Sequence, residues 1–141
     1  MNTPETAAPA VASPEITLTR PTLAEGETYL GAIVSADGTY SHHTILLPGD
    51  HDDCTWQAAM DWAKSLGGDL PNRIEQALLF ATLKDQFKKD WYWSNTLHAS
   101  VASYAWFRYF DFGGQGNDHF RGQCRARFVR RLPLQPFINL P

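Results

Sequence analysis

Cysteine is scarce in this 141-residue chain, which carries only Cys54 and Cys124. So few, so far apart, they form neither a zinc spacing nor a CxxC redox motif, and they read as free thiols in a reducing compartment rather than as a disulfide. No stretch approaches the ~18 uninterrupted apolar residues of a membrane span, and the N-terminus lacks the basic start and apolar run of a secretory signal. Synthesis in the cytoplasm is therefore expected. An excess of positive charge is also missing. The formal net charge is −3 and the pI near 5.9, which gives no bulk attraction to nucleic acid or to an anionic membrane.

Catalytic signatures are missing as well. There is no GxSxG elbow, no HExxH, no phosphate-cradling glycine loop and no nucleophile at a recognisable distance from a base, so no enzyme is expected. "DHDD" at 50–53, with His42 and His43 nearby, has the residue types of a hard-metal site without any regular ligand spacing. Acidic residues before a helix are expected from its dipole alone, so neither a metal nor another cofactor is anticipated.

What the chain does have is apolar material for one core: 43% hydrophobic and 13% aromatic residues. Residues 1–26 stand apart, with four of the nine prolines, five alanines and no aromatic ring. Such a segment buries too little to offset its ordering entropy, and it reads as an extended arm, either a disordered leader or one that orders on a neighbouring subunit with Ile16, Leu18, Arg20 and Leu23 as its contact residues. From Tyr29 on, "TYLGAIV" and "YSHHTILLP" flank Asp37-Gly38 and predict a hairpin. Trp56, Ala59, Met60, Ala63 and Leu66 then recur at helical spacing, with Asp53 or Thr55 as the cap and Gly67-Gly68 as the stop. A second helix starts at Asn72, which forms a capping box with Glu75. Its expected buried face is Ile74, Ala77, Leu78 and Ala81, widened by Leu79, Phe80, Leu83 and Phe87, so that it lies deep between layers.

Beyond Asp90 the period switches to two, giving strands at "WYWSN", "SYAWFRYFDFG" and "CRARFVRRL" with polar loops at 95–103 and 113–123. "PLQPFINLP" has no regular period and reads as a docked C-terminal tail over 133–141.

Several of these pieces, in this order, resemble one known family. "TWQAAMDWA", "LGGDLPNRIEQALLF", "WYWSN", "YAWFRYFDFG" and "ARFVRRL" are similar to the hallmark passages of the Lcl C-terminal domain family, a C-type-lectin-like domain of bacterial surface proteins and of phage and prophage genomes. The resemblance spans roughly residues 29–132 and is strongest to the phage branch. It implies an α+β, C-type-lectin-like fold of small antiparallel sheets with two helices, occupying 27–132. It also implies a non-enzymatic phage or prophage virion protein, a capsid decoration or tail-associated protein displaying a lectin-like binding domain. The alternative is a stand-alone glycan-binding adhesin module, and a third reading is a prophage-encoded protein directed at the host. The implied partners are other virion proteins through the arm, a host-surface glycan or protein, and further copies in a homo-oligomer. Where many surface members carry a cysteine in the last strand this chain has Phe128, so the family's disulfide is not carried over. Neither "EPN" nor "QPD" occurs, and only "GND" at 116–118 stands in for the later "WND", so a lectin-type calcium site is not implied.

Trp91, Tyr92 and Trp93 have the flat faces that stack on pyranose rings. Strand alternation puts Trp91 and Trp93 on the core side and leaves Tyr92 exposed, while Trp106 reads as core. The loop "GGQGNDHFRGQ" offers Gln115, Asn117, Asp118, His119 and Arg121, and Asn95, Thr96 and His98 leave strands at the same end of the sheet. A composite ligand-binding patch of Tyr92, Asn95, His98, Gln115, Asn117, Asp118, His119 and Arg121 is the resulting expectation. Arg121, Arg125, Arg127, Arg130 and Arg131 crowd into eleven positions, yet their alternation along a strand suits buried pairing with carboxylates and carbonyls better than phosphate contacts.

Overall fold

In a computed structural model, residues 19–37 and 41–134 are described. They form an α+β fold with two helices and eight strands in two small sheets, antiparallel except for one pairing. Strand β1 (Thr28–Val34) turns into β2 (Ser41–Leu46) as the expected hairpin. Strand β3 (His51–Cys54) leads into helix α1 (Trp56–Ser65), which is followed by helix α2 (Arg73–Leu83) and a 3-10 turn at Lys84–Gln86. Strands β4 (Trp91–Leu97), β5 (Tyr104–Tyr109), β6 (Gln115–His119), β7 (Cys124–Ala126) and β8 (Val129–Pro133) complete the order. One sheet runs β1-β2-β8 and the other β3-β7-β4-β5-β6. No described helix is long and apolar enough to cross a membrane.

Strand β2 explains why the two sheets share an interior. All of His42–Leu46 is buried. Alternation sends Ile45 into a cluster with Trp93, Ala59, Ala63, Leu70 and Phe128, and Leu46 into a second cluster with Leu79, Tyr92, Phe110 and Val129. Helix α1 packs on β3, β4 and β7; helix α2 packs on β1, β4 and β5.

Helix α1 begins where a Thr cap allows it: Thr55 accepts the Ala58 N–H, and Asp53 stays in β3. It ends on Gly67 at φ +81°, whose N–H reaches Lys64 O, while Gly68 N–H reaches Ala63 O. Leu66, read as the last residue of the buried stripe, is exposed at this end. Helix α2 opens with the expected capping box, both Asn72 N–H to Glu75 Oε1 and Glu75 N–H to Asn72 Oδ1 being 2.8 Å.

The buried face of α2 differs from the one expected. Ile74 and Leu78 are 58% and 37% exposed, Ala77 and Ala81 face solvent, and Glu75, Gln76 and Leu79 turn inward. Polar partners set this rotation: Glu75 takes Arg131 and Thr44, and the Gln76 amide donates to Tyr92 O at 3.0 Å. Buried polar groups need such partners, so a helix with them on offer turns its acid and amide to the inside. α2 therefore lies against the sheet with one flank open, not deep between layers.

Two further strands differ from the sequence expectation. The stretch read as one strand over 124–132 is two, because Arg127 and Phe128 hand the chain from β7, beside β4, to β8, beside β2. The polar loop at 113–123 contains β6, an edge strand paired to β5 along its whole length.

The arginines fall as their alternation suggested. Arg125 grips Asp50 through Nε and Nη2 at 2.8 and 2.6 Å, and Arg127 donates to the carbonyls of Gln86 and Leu47. Arg131 holds Glu75 and Asp69, and Arg130 holds Glu27. Of the arm residues, Ile16 and Leu18 lie outside the described residues. Arg20 sits 4.8 Å over the Tyr29 ring, Thr22 O accepts from Arg130, and Leu23 is at the surface. Residues 20–26 thus rest against the outside of the body. The tail over 133–141 is described only to Leu134.

The Glu27 pair yields a pH prediction. The Arg130 hydrogen bonds and the Ala24 N–H hold the Glu27 carboxyl below the usual range. A carboxyl lowered in the folded state adds stability above its ordinary pKa, and that stability is lost as pH falls through the folded value. Urea midpoints of wild type and Glu27→Gln should therefore differ at about pH 7 and converge once the pH has fallen through the folded-state value. A gap that persists in acid would show that Glu27 acts through something other than its charge.

Candidate functional site

Strands β5 and β6 present two faces, and the expected ligand residues divide between them. Tyr104, Trp106 and Arg108 on β5 lie opposite His119, Asn117 and Gln115 on β6, so these six share one face. On it the Arg73 guanidinium lies 3.6 Å from the Trp106 ring centroid and donates from Nε to Gln115 Oε1 at 2.8 Å. His98 stacks on the same indole at 5.3 Å and 12°, and His119 meets Tyr104 edge-on at 5.7 Å. The structure thus brings His98, Gln115, Asn117 and His119 together as the sequence suggested, around a Trp106 that is half-buried rather than core.

The remaining expected residues lie elsewhere. Tyr92 is 1% exposed: its hydroxyl donates to Asp50 Oδ2 and accepts the Lys88 N–H. Burial, reinforced by the Asp50 hydrogen bond, pushes its pKa up to about 12. Tyr92 is part of the core and not a ligand residue. Asn95 is turned to Asp69, its amide donating at 2.9 Å. Asp118 lies on the opposite face and accepts the His119 N–H. Arg121 is exposed in the turn after β6, where its backbone N–H donates to His119 Nδ1. On this face Arg73 engages Trp106 and Gln115, and the Nδ1 atoms of His98 and His119 accept backbone N–H groups.

The second face holds what alternation did not reveal. Trp91, expected in the core beside Trp93, is 45% exposed, and Phe112 in the turn after β5 is 81% exposed. Trp91 stacks on Phe107 at 5.1 Å and 18°, Tyr109 stands edge-on to Trp91 at 6.0 Å, and Phe112 lies 5.7 Å from Tyr109. Phe107 in turn contacts Trp93, whose indole N–H is satisfied by Cys54 O. A row of rings therefore runs from the core to the surface. Trp91 is two residues, roughly 7 Å, further along the strand than Trp93, past the reach of the cluster that covers Trp93.

Two glycines make this row possible. A Cβ on Gly116 would lie 2.6 Å from the Phe107 ring, so only glycine lets that ring lie flat across β6. Gly113 has φ +83°, and its Cβ would come 2.5 Å from Phe80; the turn that presents Phe112 thus requires glycine for both conformation and space.

Other groups of chemical interest are committed to structure. Cys54 and Cys124 are free, buried and directly opposite each other across β3 and β7, and burial raises both thiols above their usual pKa. Asp50 and Asp52 of "DHDD" face Arg125, and no group of three His, Cys, Asp or Glu among the described residues is arranged to hold a metal. No protein-family model matches the chain, and neither does any curated protein.

Proposed function

We propose that this chain is a non-enzymatic, C-type-lectin-like binding protein of a phage or prophage virion, acting as a capsid decoration or tail-associated protein. One observation carries the binding part: large rings at Trp91 and Phe112 stand in water on a rigid sheet, while the interior charges are consumed in pairs such as Asp50–Arg125 and Glu75–Arg131. An exposed aromatic patch of this kind marks a contact surface. The resemblance of the ordered motifs to the phage branch of the Lcl C-terminal domain family supports the virion part, with other virion proteins as the assembly partners.

Mass spectrometry of purified, salt-washed particles tests this, with the protein expected in stoichiometric amount. Deleting residues 1–18 spares the contacts of Arg20 and Glu27, and it should abolish incorporation while the circular dichroism stays unchanged. Absence of the protein from particles would favour the second reading, a free glycan-binding adhesin module, to which the same ring surface lends weight.

A further inference from the structure

We infer that Cys54 and Cys124 form a redox modification site: a small peroxide converts the two thiols, within the folded chain, into a disulfide that ties β3 to β7.

Cys54 and Cys124 are direct partners in the antiparallel pairing of β3 with β7, so their side chains leave the strands on the same side, and both enter the same core cluster. Opposite residues in such a pair hold their Cβ atoms about 4.5–5.5 Å apart, and a disulfide spans about 3.5–4.5 Å. The Cys54 thiol already points across to β7, its Sγ lying 3.7 Å from Cys124 O. The remaining closure falls to β3, which has four residues, stands at the edge of its sheet and is irregular in register between His51 and Cys54. With a neighbouring strand on one side only, it can shift by the ~1 Å that the pair needs.

Exposure sets the order of events. Cys54 is 9% exposed, at the end of a strand whose Asp52 and Asp53 face water, while Cys124 is 1% exposed. Burial, then Asp53, raises the Cys54 thiol, and burial followed by the carboxylates of Asp118, Asp53 and Asp90 raises that of Cys124. Little thiolate is therefore present, and the reaction is slow and confined to an oxidant as small as hydrogen peroxide. Cys54, having lost its proton, attacks one peroxide oxygen; the O–O bond breaks, hydroxide leaves and takes up that proton, and Cys54 becomes a sulfenic acid. The Cys124 sulfur then displaces the sulfenic oxygen, the S–S bond forms, and the Cys124 proton departs with that oxygen as water. Two thiols and one peroxide thus give one disulfide and two waters. Cys54 and Cys124 are the chain's only cysteines, so any other disulfide has to join two chains.

The test exposes the reduced, purified full chain to excess hydrogen peroxide without denaturant, removes the peroxide with catalase, and alkylates in urea with iodoacetamide. The untreated chain should take two alkyl groups and the treated chain none, and a digest should yield the peptides of Cys54 and Cys124 joined. Because the bond closes a long loop of the unfolded chain, the melting temperature should rise by ~10 °C, and dithiothreitol should return it to the starting value. Cys54→Ala should show no such rise. The alkylation count is made on the wild-type chain, so it decides the matter even if that variant does not fold. Thiols that both remain open to alkylation, a Cys54 oxidised to sulfinic acid without a cross-link, a disulfide between chains, one that forms only in urea, or one that lowers the melting temperature would each overturn the inference.

Discussion

Arg131→Ala is expected to destabilise the domain by about 3–5 kcal/mol, the cost of stripping a buried carboxylate of its cation. Glu75 is 0% exposed, and Arg131 meets both of its oxygens, from Nε at 2.8 Å and from Nη2 at 2.6 Å. Nη1 also reaches Asp69 at 2.6 Å, and Nη2 reaches Leu70 O at 3.0 Å. Without the guanidinium, Glu75 keeps the Thr44 hydroxyl, the Asn72 N–H and the His42 ring, whose Nε2 lies 3.8 Å away. Arg131 itself is partly open to water, so the damage lies in the orphaned acid more than in the lost cation. A melting temperature lower by roughly 10 °C follows for a domain of this size. Glu75→Gln in the same chain should recover much of the loss, since a neutral amide is far cheaper to bury. If urea denaturation shows Arg131→Ala within about 1 kcal/mol of wild type, Glu75 is not buried as described.

Gly68→Ala is the second large effect, at about 2–3 kcal/mol, and it should exceed that of Gly67→Ala. A Cβ at Gly68 would sit 2.6 Å from the Val129 carbonyl oxygen and 2.7 Å from the Phe128 ring. That carbonyl cannot move aside cheaply, because it accepts the Asp69 N–H at 2.9 Å while Val129 N–H returns to Asp69 O at 2.8 Å. Gly67 is the reverse case: open space around it but φ +81°, where a side chain costs about 1–2 kcal/mol. Thermal melts of the two variants rank them. Gly67→Ala as the worse variant would mean that backbone strain, not the contact with β8, governs this turn.

These two glycines were read from the sequence as punctuation between helices, and that reading was correct as far as local chemistry goes. The capping box, the Thr55 cap and the first hairpin were likewise legible, because each depends on residues a few positions apart. Three features were not legible, and each depends on distant partners. The inward face of α2 follows from Arg131 and from Tyr92 O. The burial of Tyr92 follows from Asp50. Strand β6, "QGNDH", has no apolar residue to show a period, since an edge strand needs only the backbone of β5. At the candidate site, the convergence of His98, Gln115, Asn117 and His119 was foreseeable from loops leaving neighbouring strands. The exposed ring row was not, because alternation gives the side a residue faces but not how far the cover extends along the strand.

Strands β7 and β8 carry a consequence for the order in which this protein can be made. The first hairpin closes within its own neighbourhood, but β2 finds its other neighbour only in β8, and β3 finds its partner only in β7. A nascent chain leaving the ribosome therefore holds Ile45, Leu46 and Trp93 without their final cover until residues 124–133 have emerged. Folding of both halves must then be nearly simultaneous and wait for that segment, with the longest loops closed last. A message truncated before that point would release a polypeptide with two open sheets and most of its sticky aromatics uncovered, a natural substrate for chaperones and proteases.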